Sequence, residues 1–149
     1  MIQTLIAGAT LVWLCVGHVA IAANGDVSVA ELEGRWKGGR NDLVLDISRC
    51  GSRWCGVEVT GDNACGRTVL RMDELPSRDV IHFEGRLELA AEAQPYKVWA
   101  SLFRDERGTH LEMHGQSGET IEPWRRVFPF MATLARIGDV QCRPDAKVS

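Results

Sequence analysis

From Gly34 onward the chain alternates. Leu43, Leu45 and Ile47 are interleaved with Val44, Asp46 and Ser48, and Val57 and Val59 with Glu58 and Thr60. Ile81, Phe83, Gly85, Leu87 and Leu89 alternate with Val80, His82, Glu84, Arg86 and Glu88, and Leu111 and Met113 with His110, Glu112 and His114. A period of two gives each strand one buried and one wet face, as in antiparallel sheet. Turn chemistry separates the runs. Gly38-Gly39-Arg40-Asn41-Asp42, Gly61-Asp62-Asn63, Asp105-Glu106-Arg107-Gly108 and Gln116-Ser117-Gly118 supply residues that accept a positive φ or an Asx turn. Strands are therefore expected near 34–37, 43–49, 54–60, 67–72, 79–89, 96–104, 109–115 and 121–128. About eight closely spaced short strands predict an all-β fold, a small up-and-down antiparallel barrel whose closure removes both exposed edges.

Two short helices are expected beside the strands. Ser28-Val29-Ala30-Glu31 has the form of a capping box and predicts a short N-terminal helix that Gly34 ends. Phe130–Ile137, after Phe128-Pro129, is read as a short C-terminal helix packed outside the barrel or across one end. The strand at 96–104 differs from the rest. Tyr96, Val98, Ala100 and Leu102 share one face, while Trp99 and Phe103 take the other. A strand apolar on both faces is either covered on its outside, here by Phe130–Ile137, or lines a ligand cavity. Tyr96, Val98, Trp99, Leu102 and Phe103 are the candidates for lining it.

The first residues read differently. Leu5 to Ala22 is almost wholly apolar and ends in Ala20-Ile21-Ala22, an apolar core followed by a small-x-small cleavage site. The expectation is a signal peptide over 1–22 and a single barrel domain over 23–149, which places the protein in the periplasm or outside the cell. The rival readings are an uncleaved anchor helix and, through Cys15, a lipid attachment; His18 interrupts the first, and bulky Leu14 before Cys15 opposes the second. With the signal peptide removed, no stable membrane span remains. The formal net charge is −3, all of it in the 23–149 part. That mild acidity gives no electrostatic reason to bind nucleic acid.

Without Cys15, four cysteines remain: Cys50, Cys55, Cys65 and Cys142. An even count in an exported domain reads as two disulfides, with three pairings open. The favoured one joins Cys50 to Cys55 across the turn Gly51-Ser52-Arg53-Trp54 and ties the C-terminal tail to the barrel through Cys65 and Cys142.

Gly34-Arg35-Trp36 opens the first strand, and Trp124-Arg125-Arg126 falls on the expected last one. A G-x-W near the start with an Arg near the end resembles the signature of lipocalin-like barrels. By that resemblance Trp36 plugs the closed end beside Gly34, and Arg126 on the Trp124 strand, or else Arg125, stacks over it as a lid. Cys50-Gly51-x-x-Trp54-Cys55-Gly56, then Cys65-Gly66 and Trp124-x-Arg126, resembles a bacterial exported family catalogued as domain of unknown function 2147. The likeness runs from about Leu32 to Val127. The chain departs from it before Cys65, where only Val57 to Ala64 stand in place of a longer segment. The family implies a fold and a compartment, not an activity. Secreted inhibitors of bacterial metalloproteases are similar in a different way: small barrels with a leading G-x-W, whose flexible N-terminal trunk corresponds here to Ala23–Val29.

Catalytic signatures are sparse. His110-x-Glu112-x-His114 places three ligating groups on one strand face, neighbours about 7 Å apart, with His82 available from another strand. The plainer reading is a solvated outer face opposite Leu111 and Met113, so no metal or other cofactor is assigned. Gly115-Gln116-Ser117-Gly118 lacks the spacing of a nucleophile elbow, and no dinucleotide-binding or phosphate-binding glycine loop is present. The sequence thus points to a monomeric, non-catalytic binding or accessory module of the cell envelope, holding a small apolar ligand or an envelope protein. The alternatives are a metalloprotease inhibitor, a metal-dependent enzyme built on His110, Glu112 and His114, and a purely structural envelope protein.

Overall fold

Eight strands follow one another around a closed antiparallel barrel in a computed structural model that describes residues 26–39, 42–77, 79–91, 94–117 and 130–144. They are β1 (Gly34–Gly38), β2 (Val44–Cys50), β3 (Arg53–Val59), β4 (Cys65–Leu75), β5 (Ile81–Leu87), β6 (Tyr96–Asp105), β7 (Gly108–Ser117) and β8 (Phe130–Gly138). Each strand pairs with its neighbours in the chain, and β8 returns to β1 with Gly38 opposite Leu134 and Trp36 opposite Arg136. The expected signal segment and the expected strand at 121–128 lie outside the described residues. No helix among the described residues is long and apolar enough to cross a membrane.

The eighth strand corrects the sequence reading. Phe130–Ile137 is not a helix over the barrel but part of its wall, paired with both β7 and β1. Met131, Ala132, Leu134, Ala135 and Arg136 are good helix formers, yet β1 and β7 would otherwise each keep a row of unpaired backbone groups. Tertiary pairing overrides the local preference. Leu134 is fully buried and Ala132 packs on the core, while Met131 and Ile137 face out. Being in the wall, this segment does not cover the outside of β6.

The N-terminal helix is also smaller than expected, a four-residue 3-10 turn over Val29–Leu32. Its capping box is present: Ser28 Oγ accepts from Ala30 N at 3.3 Å and Glu31 Oε1 accepts from Ser28 N at 3.1 Å. The turn stops at Glu33, and Gly34 already belongs to the barrel. The reason lies at Trp36, whose indole N–H donates to the Leu32 carbonyl at 2.9 Å, so the chain must straighten at once. Arg136 Nε lies 2.5 Å from where a Gly34 β-carbon would stand, and its guanidinium donates to the Glu33 carbonyl.

The interior is filled. Trp36, Trp54, Phe83, Leu87, Leu111 and Met113 belong to one contiguous buried cluster, which Leu32 joins from the N-terminal turn. At Gly85, β5 lies against the β4 backbone with no room for a side chain. A β-carbon there would fall 2.0 Å from the Arg71 carbonyl oxygen and 2.8 Å from Met72 Cα, both backbone atoms. Gly85→Ala is therefore expected to cost about 1–3 kcal/mol, the usual range for overpacking, read as a lower urea midpoint at unchanged slope.

A second, smaller core lies outside the barrel. There Cys142 packs on Val57 and Val59 with Val44 beside them, tied by the Cys65–Cys142 disulfide. Asp46 is fully buried beneath this tail. It takes Arg35 in a two-pronged pair at 2.7 and 2.8 Å and accepts the backbone N–H groups of Gln141 and Cys142 at 3.0 and 2.6 Å. Burial by itself would raise its carboxyl pKa. The Arg35 guanidinium and the two amides outweigh that and hold the group below the ordinary carboxylate range. The other disulfide, Cys50–Cys55, joins β2 to β3 across their turn.

Candidate functional site

The segment Asp26–Glu33 crosses one end of the barrel, where β2 passes into β3, β4 into β5 and β6 into β7. Val27 and Val29 pack on the core, and Glu31 receives the Arg104 guanidinium and the Thr109 hydroxyl. The described part of the trunk suggested by sequence, Asp26–Val29, is thus seated against the barrel. At this end Arg49 lies 4.1 Å over the Trp54 ring, a cation–π contact at the rim.

Between the crossing segment and the β4–β5 and β6–β7 ends lies a cleft of about 700 Å³. Its floor is apolar, Val27, Ile81, Leu102 and Phe103, with the exposed Val80 at its edge. Its rim carries Asp26, Glu74, Asp79 and Asp105. The Arg104 side chain also reaches the cleft, but its charge is met by Glu31. Glu74 is 3.6 Å from Arg49 across exposed surface, a distance at which pairing is weak. Asp105 accepts from Arg107 N at 2.7 Å and meets His110 Nε2 at 3.0 Å. The Arg107 amide, with His110 assisting, keeps the Asp105 carboxyl ionised below its usual pKa against the opposing effect of partial burial. The cleft therefore combines an apolar floor with a rim of four carboxylates.

The candidates from sequence fall in several places. Tyr96 and the buried Val98 and Leu102 belong to the interior side of β6. Trp99 and Phe103 face outward, Trp99 39% exposed under the Lys97 ammonium and Phe103 stacked on His110 with ring centroids 5.4 Å apart. Of the five, Leu102 and Phe103 reach the cleft. Trp36 is fully buried beside Gly34, and the described arginine opposite it is Arg136. Trp124 and Arg126 lie outside the described residues.

His110, Glu112 and His114 share the outer face of β7 but not a common centre. His110 is only 12% exposed and engaged with Asp105 and Phe103, whereas Glu112 and His114 stand on the open wall. His82 Nδ1 is 2.9 Å from Ser101 Oγ. Glu112 stands on the far side of Ser101 in the same cross-strand row, so it does not orient the imidazole as an acid in a triad would. Among the described residues, no group of three or more His, Cys, Asp or Glu is placed to hold a metal ion.

Sequence reasoning missed the rim. Asp26 precedes the first turn, Glu74 ends β4 and Asp79 stands in the β4–β5 connection, and no local pattern links the three. No family model matches the chain, and no curated protein or solved structure is significantly similar to it.

Proposed function

We propose that this is an exported, non-catalytic binding module of the cell envelope, and that the end cleft seats a small apolar molecule bearing a positive charge. The observation that carries the reading is the pairing of an apolar floor with four rim carboxylates, Asp26, Glu74, Asp79 and Asp105, in a barrel whose interior is occupied by its own side chains. An apolar ligand with no charge would leave the rim unused, and an anion would be repelled by it. The two disulfides suit an oxidising compartment. The resemblance of the doubled Cys-Gly motif to domain of unknown function 2147 supports export to the periplasm or beyond.

The test is calorimetric titration of the protein, purified from an oxidising compartment, with decylammonium below its micellar concentration and with 1-decanol as the neutral counterpart. Decylammonium is expected to bind at least about tenfold more tightly, one favourable charge interaction. Asp79→Asn combined with Glu74→Gln should erase that preference while leaving the thermal midpoint nearly unchanged, because both side chains are exposed. Equal affinity for the two probes, or a preference that survives the double substitution, removes the cleft as the seat.

A further inference from the structure

The outer wall carries a row of cations that its own acids neutralise only in part. Arg71 on β4 stands directly opposite Arg86 on β5, which stands opposite Lys97 on β6, which stands opposite Gln116 on β7. Directly opposed residues of an antiparallel pair share a face with α-carbons about 4.5–5.5 Å apart, and like charges so placed destabilise a sheet. The neighbouring carboxylates are committed elsewhere. Asp73 holds Arg53 through two hydrogen bonds of 2.7 and 2.6 Å. Glu84 holds Lys97 at 2.5 Å, while Glu88 and Glu74 lie 3.6 Å from Arg67 and Arg49 in weak exposed pairs and face these rather than the row. Arg71 and Arg86 are left with no acidic partner among the described residues. Beside the row, with Arg71 at its outer side, runs a groove of about 960 Å³ lined by Arg86, Lys97, Gln94 and Gln116 together with the paired Arg53, Asp73 and Glu84.

We infer that Arg71 and Arg86, flanked by Lys97 and the amides of Gln94 and Gln116, form a binding site for a tetrahedral oxyanion, a phosphate or sulfate group. Guanidinium forks carried by directly opposed residues of one sheet face can meet such a group together, each donating paired hydrogen bonds. An anion between them also removes the cross-strand repulsion, so its binding stabilises the wall as well as the complex. The same chemistry is offered by a soluble phosphate ester and by the headgroup of an anionic lipid.

Thermal unfolding in inorganic phosphate against chloride of matched ionic strength tests the site directly. Phosphate is expected to raise the midpoint in a saturable manner beyond the chloride control. Arg71→Gln and Arg86→Gln should each weaken that dependence by about tenfold, the loss of one strong charge-assisted bond, while the midpoint in chloride stays level or rises as the repulsion is relieved. Arg86→Lys keeps the charge but loses the fork and is expected to fall between. Two sources are then separated by sedimentation with phosphatidylcholine vesicles with and without phosphatidylglycerol. Binding to the anionic vesicles that both Gln variants lose assigns the site to a headgroup, and phosphate binding without vesicle binding assigns it to a soluble ester. A phosphate effect no larger than chloride, or one the Gln variants retain, overturns the inference.

Discussion

The double substitution Cys65→Ser with Cys142→Ser is expected to lower the stability by about 4 kcal/mol, the chain-entropy value for a loop of this length. The bond joins residues 77 apart in sequence, so cutting it frees most of the barrel in the unfolded state. Cys50 and Cys55 are 5 apart, and the same relation gives about 2 kcal/mol for Cys50→Ser with Cys55→Ser. Urea unfolding of the two double variants measures both, and the ordering is the sharper part of the prediction. Equal losses would mean that the unfolded state is not the place where these bonds act. The longer link has a second signature: the Gln141 and Cys142 amides, which donate to Asp46 in the intact protein, should exchange with solvent far faster once it is cut.

The second large effect belongs to Asp46. Asp46→Ala leaves the Arg35 guanidinium buried without its counter-charge and two tail amides without an acceptor, and is expected to cost about 3–5 kcal/mol. Replacing the pair together, Arg35→Met with Asp46→Leu, should recover much of that loss, because the charge left stranded by the single change is then gone. Acid tests the same group. Its folded pKa lies below its unfolded value, so near and below about pH 4 the unfolded chain binds more protons and stability falls as pH falls. The contribution is complete above the unfolded value and vanishes as pH drops through the folded one. Asp46→Asn should flatten that limb of the stability–pH curve. Because Cys142 and Asp46 fasten the same tail, their losses should combine to less than their sum.

Seven of the strands were legible from alternation and turn chemistry, although Val57 and Val59 of β3 face the outer core and β6 is apolar on both faces. Leu45 and Ile47 point in, and so do Phe83 and Leu87, and Leu111 and Met113. The eighth was not, because Met131 and Ile137 are apolar on the outer face and blur the period, while the residues between them favour helix. Only the waiting edges of β1 and β7 decide the matter, and β1 is distant in sequence. Asp46 and Ser48 were misleading for a related reason. They occupy the face that alternation marks as wet, yet both are fully buried, Asp46 beneath a tail that begins more than ninety positions later. A local pattern carries no trace of a lid that arrives from so far along the chain. The cleft was half legible: Leu102 and Phe103 stood out as a strand with two apolar faces, but its carboxylates come from three separate elements.

The up-and-down order has a consequence for how the molecule comes into being. Every pairing from β1–β2 to β7–β8 joins segments adjacent in the chain, so the wall can grow one hairpin at a time as synthesis proceeds. Closure alone must wait, since β1 finds its second neighbour only when Phe130–Gly138 has emerged. Until then the nascent sheet carries two bare edges, each a template for pairing with another chain. The final segment is thus the latch that converts an association-prone sheet into a self-contained wall, and Cys142, a few residues beyond it, sets the bolt only after the latch has closed.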